Sequence, residues 1–481
     1  MRAQLSMRDT GGSNAVGLGL AATLGAFVPF DAEAQDVAAD LPLLSVEGFR
    51  LSDPNVLNEG TGLSRLPGRI QDTPQAISVV PGEVIRQQQA TTLEQALRNV
   101  PGITVSAGEG NGGLNGDQFR IRGFQAKNDV YLDGLRDFGV YARDSFNIQD
   151  VVVIKGPASE TLGLGTAGGG QTFGQDAWGA QNVTTAIAKF HTGFLRHEVV
   201  TGLDLFYQDD DRINYQVLGT RPNQRLLTPL HDQVGYSLVP NPASRRLTQG
   251  ANLGAFFSDR VWLTEQFSIL GGVRVDRFVS SYTATNANAV FTPSVIAPST
   301  GVSPKVSGIW QPTPEQTYYV SYSRGFSPQG QYVANSTGIE IPNAAALKPE
   351  ESDLYEVGAK VSVLGGRLGL AAALFRIDKS NSFDIDPVTG SIINGALDAG
   401  ERRRVDGFEA SITGKLSEEW NIIAGYTHLD GTVLSGVNAG RVAPFVPANA
   451  FTLWTTYDLT ALGRSWWNLP GKITVGGGVT F

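Results

Sequence analysis

The strongest constraint on the fold is an alternation of apolar and polar side chains with a period of two, which recurs from about residue 180 to the last residue. In the segment 355–363, the odd positions are apolar, whereas the even positions are polar or glycine. The segments 405–416 and 473–481 repeat this pattern with few exceptions. Successive side chains of a strand point to opposite faces. Such strands of roughly 10 residues, apolar on one face only, are typical of a wall between lipid and a water-filled lumen.

The connections between these strands alternate in length. Short connections with turn-forming residues lie at 312–315, 364–367 and 414–419, and long polar ones lie near 208–244, 281–300, 327–350, 378–402 and 430–448. Aromatic residues lie at several predicted strand ends, namely Tyr318, Tyr319, Tyr322, Tyr426, Trp454 and Tyr457. A large soluble sandwich or propeller would explain the alternation but neither of these features. Short turns at one rim and long loops at the other predict an antiparallel transmembrane β-barrel.

Composition excludes several other classes of protein. The mean hydropathy of −0.09 is typical of a soluble protein. It does not exclude a β-barrel, because barrel strands are apolar only at alternate positions. After the N-terminus, no run reaches the 18 or so apolar residues of a membrane helix. Cysteine is absent, which removes thiolate metal sites, disulfides and cysteine nucleophiles. A net charge of −9 without a basic block argues against a nucleic-acid partner.

The first 34 residues predict an export signal. Arg2 and Arg8 give a positively charged start, and the segment 15–28 is rich in small and apolar residues. Ala32-Glu33-Ala34 has the small-x-small pattern that signal peptidase cleaves. The mature protein is therefore expected to leave the inner membrane.

Before about residue 175 the sequence predicts short, mixed elements. The segment 91–99 predicts a helix with Leu93, Ala96 and Leu97 on one face. The β-branched run at 151–154 predicts a strand buried on both faces. The chain as a whole is thus predicted to be mostly β. We divide it into a signal peptide at 1–34, a leader at 35–60, an α+β domain at 61–170, a junction at 171–180 and barrel strands at 181–481.

Five motifs of the α+β domain resemble, in family order, the plug of TonB-dependent siderophore receptors. They are Asp72–Pro81, Thr92–Ile103, Phe119–Phe124, Tyr131–Asp137 and Val153–Pro157. The later part of the chain resembles the barrel of the same family at Thr300–Lys305, Tyr355–Lys360, Ala373–Arg376, Gly407–Ala410 and Trp420–Tyr426. One departure is Val152, where the family has an acidic residue.

The resemblance implies a receptor of the Gram-negative outer membrane rather than an enzyme. Members of the family form 22-stranded barrels around the plug and import ferric siderophores, with energy passed by TonB from its inner-membrane complex. The implied partners are therefore TonB, a ferric siderophore and outer-membrane lipid. No cofactor is implied, because iron arrives only inside the siderophore.

Two features depart from the family pattern. After the glycines at 168–170, the family continues into its first barrel strands, but here the segment after 171 resembles a much later strand. We count roughly twelve strands against the expected 22, and family members usually continue beyond the position of Phe481. The sequence therefore predicts an incomplete barrel. Either the strands form an open, curved sheet around the plug, or the chain is a fragment. A deletion derivative or mis-assembled gene, inactive because it is truncated, is favoured over a new, smaller architecture.

The resemblance also implies a lock between plug and barrel. Its members would be Arg122 and Lys155 on the plug, and Glu356 and Glu409 on the barrel wall. The alternation supports this independently, because both glutamates fall on the polar face of their strands. Their inward orientation thus follows from the period of two, whereas their pairing with the plug follows from the resemblance only.

Two further sites are implied. A TonB box, which TonB captures by strand pairing, is expected at Leu43, Leu44, Ser45 and Val46. Ligand-binding candidates lie in loops predicted at the plug apex. They are Gln125, Asn128, Asp129, Phe138, Tyr141 and Arg143. Aromatic and cationic side chains suit ferric siderophores, which present anionic or aromatic surfaces.

No catalytic or metal site is predicted. The four histidines, His191, His197, His231 and His428, are scattered along the chain. A soluble sugar-binding or hydrolytic β-protein would need paired acids in a cleft, which the sequence does not indicate. A passive porin or adhesin would keep the barrel pattern but would have no use for the plug motifs. Import of haem, cobalamin or ferric citrate stays open.

Overall fold

The computed structural model describes most of the chain from residue 53 onward. The described residues are 53–63, 65–105, 119–126, 130–132, 135–137, 143–145, 148–155, 173–219, 236–328, 348–382, 401–436, 438–443, 446–460 and 473–481. No helix in these ranges is long and apolar enough to span a membrane.

The plug is a small α+β domain. Its elements are β1 (Ala76–Pro81), α1 (Gly82–Gln87), α2 (Leu93–Leu97), β2 (Ile103–Val105), β3 (Phe119–Ile121), β4 (Phe124–Gln125), β5 (Tyr131–Leu132), β6 (Leu135–Arg136) and β7 (Asp150–Lys155). Helix α2 begins where the Thr92 hydroxyl accepts from the Gln95 amide, a side-chain cap. Its buried residues are Leu93, Ala96 and Leu97, so the predicted helix face is confirmed.

Strand β7 pairs with β1 in antiparallel fashion and packs on both faces, as predicted. Val153 joins the core that contains α2, whereas Val152 joins a second core around Ile70. Val56 and Leu57 also belong to this second core. The end of the predicted leader takes part in this packing, because the apolar side chains of a 3-10 turn at Val56–Asn58 are buried there.

The described residues from Phe173 onward form a 13-stranded antiparallel sheet, in which most strands pair with the next strand along the chain. The strands are β8 (Phe173–Thr192), β9 (Leu195–Gly219), β10 (Tyr236–Pro240), β11 (Arg246–Trp262), β12 (Phe267–Ala284), β13 (Val295–Thr313), β14 (Gln316–Ser327), β15 (Glu350–Val363), β16 (Leu368–Ser382), β17 (Glu401–Lys415), β18 (Trp420–Val433), β19 (Asn449–Asp458) and β20 (Thr474–Thr480). Strands β10 and β11 pair with successive parts of β9. The prediction of roughly twelve antiparallel strands is confirmed. Within the described ranges, β8 pairs only with β9, and β20 only with β19.

The predicted strand register is confirmed in β15. Glu356 is only 2% exposed, whereas the next residue, Val357, is 58% exposed. Val357 lies beside the outward-facing Val320 and Leu374 on the neighbouring strands. Polar side chains thus face the plug, while a row of apolar side chains faces outward.

Aromatic and charged residues bound this outward apolar surface. Near the short turns, Trp310 packs against Phe267 and Tyr318, with ring centroids 5.9 and 5.2 Å apart. Toward the long loops, the outward positions become charged, and Arg324 pairs with Asp353 at 2.8 Å. An apolar band between an aromatic girdle and polar ends is the surface that a membrane barrel presents to lipid.

Many strands are longer than the 10 residues predicted, and β9 has 25. Residues 173–180, predicted as a junction, are the start of β8, and much of the loop predicted at 208–244 is strand. Polar side chains that predict loops by composition are paired across strands instead. Gln175 donates to Asp210, and Gln249 donates to Asp209 at 2.8 Å. Hairpins can therefore continue as polar strands beyond the apolar band.

One wall glycine allows the plug to approach closely. A Cβ on Gly425 of β18 would lie 2.4 Å from Cγ of Pro101 in the plug. We expect Gly425→Ala to destabilise the protein by about 1–3 kcal/mol, because the rigid proline ring must shift. Urea unfolding in lipid vesicles, followed by tryptophan fluorescence, would measure this. The control is Gly271→Ala, since nothing lies within 4 Å of a Cβ there. Equal effects of the two substitutions would contradict the close contact.

Candidate functional site: the plug–wall lock

The site is built around Arg122, which lies in the two-residue turn between β3 and β4. Arg122 and Gly123 both have positive φ angles, of 52° and 83°. Such turns suit tight hairpins, but a left-handed conformation is costly for a residue other than glycine. The turn directs the arginine side chain away from the hairpin and into the interface with the wall, where it is 1% exposed.

Arg122 contacts two carboxylates of the wall. Its Nη1 lies 2.9 Å from Oε2 of Glu356 on β15. Its Nε and Nη2 donate to the two carboxylate oxygens of Glu409 on β17, at 3.0 and 3.2 Å. The guanidinium carbon also lies 3.6 Å from the centroid of the Phe375 ring. A fork of this kind fixes both the distance and the angle between plug and wall.

Lys155, the last residue of β7, completes the cluster. Its Nζ lies 3.0 Å from Oε2 of Glu409 and donates to the Pro101 carbonyl at 2.9 Å. Arg122 donates from Nη1 to the Lys155 carbonyl at 3.3 Å. We call Arg122, Lys155, Glu356 and Glu409 the plug–wall lock. The structure brings all four together, with two cations facing two carboxylates in a buried interface.

Burial and neighbouring charges act differently on the two cations. Burial alone would lower the pKa of Arg122, but the Glu409 and Glu356 carboxylates outweigh it and raise that pKa above its ordinary value. For Lys155 burial wins and lowers the pKa, with Glu409 opposing the shift and Arg122 adding to it. The two wall carboxylates thus outweigh burial for Arg122, whereas burial dominates for Lys155.

Sequence reasoning missed several residues that complete the lock. Oε1 of Glu356 accepts from the Tyr319 hydroxyl at 2.8 Å and from the Ala76 amide at 2.9 Å. Tyr319 was noted only as an aromatic residue near a strand end, although its alternation within β14 places it on the inner face. Phe375 could have been found in the same way on β16. The backbone contacts of Ala76 and Pro101 leave no signal in the sequence.

The other predicted site residues are largely beyond the structural description. Leu43, Leu44, Ser45, Val46, Asn128, Asp129, Phe138 and Tyr141 lie outside the described residues, and only the backbone of Gln125 is described, in β4. Arg143 is described and buried, and its Nε donates to Asp137 at 2.8 Å. Its guanidinium thus braces the plug internally. The remaining ligand-binding residues and the TonB box stay predictions.

The sheet, its outward apolar band and the plug ion-paired to its inner face define a plugged, barrel-like membrane protein. The family model described as "TonB dependent receptor-like, beta-barrel" matches residues 50–481. The chain therefore belongs to the TonB-dependent receptor family, whose members are outer-membrane transporters rather than enzymes.

Two relatives illustrate this membership. The probable TonB-dependent siderophore receptor PiuA of Acinetobacter baumannii is 23% identical over 668 residues, covering 94% of this chain and 87% of the relative. The catecholate siderophore receptor Fiu of Escherichia coli K12 is 24% identical over 612 residues, covering 81% and 80%. Both alignments are longer than the 481-residue chain, so both relatives contain segments without a counterpart here.

Solved structures show the same fold. The PiuA crystal structure has a TM-score of 0.69 at 21% identity, covering 89% of each chain. The closed form of Fiu has a TM-score of 0.68 at 19% identity, also covering 89% of each chain.

Proposed function

We propose that this receptor imports ferric siderophores, most closely those of the catecholate class, with energy supplied by TonB. The siderophore class follows the names of the relatives, a siderophore receptor and a catecholate siderophore receptor. The single structural observation that supports gated import is the buried lock between plug and wall.

A passive porin has no need of this lock. Two carboxylates and two cations are costly to bury, and they are tolerated only when each charge is paired. Their pairing holds the plug on the wall, so the pathway stays closed until something displaces the plug. An external supply of energy, delivered to the leader, is the role that TonB fulfils in this family.

In the proposed sequence of events, the predicted ligand-binding residues and the predicted TonB box each have a role. The ferric siderophore reaches the predicted ligand-binding residues Gln125, Asn128, Asp129, Phe138 and Tyr141. TonB pairs with Leu43–Val46 from the periplasm, after the signal peptide has been removed. Tension on the leader then displaces the plug, and the siderophore passes along the inner face of the sheet.

Uptake of ⁵⁵Fe-labelled ferric catecholate tests this function. The full chain would be expressed in an iron-starved strain that lacks its own catecholate receptors, with and without TonB. We expect uptake only when TonB is present. Uptake that is equal without TonB would indicate a passive pore, and no uptake in either strain would indicate an inactive product.

Removal of residues 43–46 should abolish this uptake, because TonB then has no strand to pair with. Binding of the siderophore to intact cells should be unchanged, since the ligand loops are unaltered. The matched control is deletion of residues 37–40, which lie in the same leader on the N-terminal side of the predicted TonB box. If both deletions retain uptake, the TonB box lies elsewhere.

A further inference from the structure

Two lysines of the wall, Lys305 of β13 and Lys360 of β15, reach the plug but do not belong to the lock. Nζ of Lys305 donates to the side-chain oxygen of Gln75 at 3.1 Å. Nζ of Lys360 donates to the Ile70 carbonyl at 2.6 Å and to the Thr73 carbonyl. These acceptors are all neutral, and neither lysine is ion-paired to a carboxylate of the described residues.

A buried ammonium is a costly donor for a neutral acceptor. Lys360 is only 2% exposed, so its side chain has lost nearly all contact with water. Uncharged donors make similar contacts nearby. Gln311 of β13 donates to the Asp72 carboxylate at 2.8 Å, and Gln71 donates to the Lys360 carbonyl at 2.8 Å. Because burying a charge costs more than burying an amide, contact with the docked plug does not explain why residue 360 is charged.

The carboxylate whose charge acts most strongly on both lysines is Glu356, the member of the lock on β15. Tyr319 of β14 joins this carboxylate to Lys360. Its hydroxyl donates to Oε1 of Glu356 at 2.8 Å, and its ring centroid lies 5.7 Å from Nζ of Lys360. Glu356 and Lys360 are also four residues apart on one strand, so both side chains lie on its inner face.

A small cavity lies between this inner face and the plug. Its volume is about 20 Å³, close to the space that one water molecule needs. Its lining includes Lys360 and Tyr319 of the wall, together with Lys155 and Glu409 of the lock. Lys360 therefore borders the same space as the lock, although it is bonded elsewhere in the docked state.

Undocking of the plug would leave charges of both signs on the wall. Glu356 would lose Arg122 and the Ala76 amide, and it would keep the Tyr319 hydroxyl. Lys360 would lose its two carbonyl acceptors at the same moment, because both belong to the plug. A carboxylate and an ammonium on one face of one strand would then both need a new partner.

We propose that Lys360 exchanges partners when the plug undocks, and that it becomes the counter-ion of Glu356. Lys305 adds positive charge to the same surface. The long, flexible side chain of lysine suits an exchange of this kind, because it carries its charge on four carbons that rotate freely. The wall thus supplies a cation for the carboxylate that Arg122 has left, and the undocked state is stabilised. This inference goes beyond the import function, since it requires only that the plug undocks.

A double-mutant cycle between Lys360 and Glu356 tests the exchange, because the sign of the coupling shows in which state the two residues interact. The full chain in lipid vesicles would carry Lys360→Met, Glu356→Gln or both. A short trypsin pulse at each urea concentration would measure the fraction of undocked plug. Circular dichroism would confirm that the strands stay folded.

An ion pair that forms only after undocking stabilises the undocked state, and either single substitution removes all of that stabilisation. The double variant loses it only once, so it should undock more readily than the two single effects predict. We expect an undocking equilibrium constant about fivefold larger than the product of the single effects, as for one exposed ion pair.

An attraction confined to the docked state would give the opposite sign, with a double variant that undocks less readily than predicted. That result, or additive effects, would overturn the proposal. The control cycle combines Glu356→Gln with Lys415→Met, which removes a partly exposed lysine at the end of β17. The effects of these two substitutions should be additive.

A second measurement covers the case in which Glu356→Gln prevents docking altogether. At a urea concentration that undocks the plug in every variant, reductive methylation of Lys360 would be followed by mass spectrometry. A carboxylate beside an ammonium keeps it protonated and therefore unreactive. We expect Glu356→Gln to accelerate methylation of Lys360 about fivefold, the effect of losing one exposed ion pair, and to leave that of Lys415 unchanged.

Equal methylation of Lys360 with and without Glu356 would show that the two residues do not pair in the undocked state, and the proposal would fall. Neither siderophore nor TonB is present in these experiments. A chain that imports nothing can therefore still show the exchange, and a working importer can lack it, so the two proposals fail separately.

Discussion

Replacing Glu409 with alanine is expected to destabilise the docked plug by about 3–5 kcal/mol, the usual cost of removing one partner from a buried ion pair. Glu409 accepts from both cations of the lock, at 3.0 Å from Arg122 Nε and 3.0 Å from Lys155 Nζ. Without it, Lys155 Nζ keeps the Pro101 carbonyl as its acceptor among the described residues, and the guanidinium keeps Glu356 as its carboxylate partner. Two buried positive charges would then share one carboxylate.

Urea unfolding in lipid vesicles and trypsin cleavage of the plug would both measure this loss. The matched control is Glu418→Ala, because Glu418 lies in the turn after β17 and its side chain is 70% exposed. An exposed pair contributes about 0–1 kcal/mol, so the control should be nearly silent. If Glu409→Ala and Glu418→Ala have equal effects, the plug does not depend on the lock.

The inner and outer faces of the wall could be predicted from sequence because the period of two leaves no choice of register. A slip of one residue in β15 would place Glu356 and Lys360 outward and bury Val357 beside the plug. All four lock residues came from the resemblance to the family, and the period of two added independently that the two glutamates face inward. The helix α2 was equally accessible, because its cap and its apolar spacing are both local signals.

The contacts between plug and wall outside the lock could not be predicted in this way. They join residues that are far apart in the chain, such as Asn55 with Ser362 and Lys360 with Ile70, and the acceptors are often backbone carbonyls. Backbone acceptors are the same in every sequence, so they leave no pattern. The strand ends were missed for a related reason. Polar runs predict loops by composition. Here, however, the strand pairing continues through such polar runs, together with side-chain hydrogen bonds such as the one between Gln249 and Asp209.

The second large effect is expected on the outer face, where Val357→Arg should destabilise the membrane-inserted protein by about 2–4 kcal/mol. Val357 lies near the middle of the outward apolar row of β15, with Val320 on one side and Leu374 on the other. An arginine there must leave water for the hydrocarbon region or deform the bilayer around it. Urea unfolding in vesicles would give the difference in free energy, and the outer-membrane yield should fall in parallel.

The control is Leu364→Arg, in the turn that follows β15, where the side chain is also exposed. Charged substitutions near the interface cost about 0–1 kcal/mol, because the guanidinium reaches water. Exposure alone therefore predicts equal effects at the two positions, whereas a lipid-facing band predicts a large effect at residue 357 and a small one at 364. Equal small effects would contradict the placement of this face in the membrane. The contrast between the two arginine substitutions thus tests whether the outer face of the wall contacts lipid, whereas Glu409→Ala tests whether its inner face holds the plug.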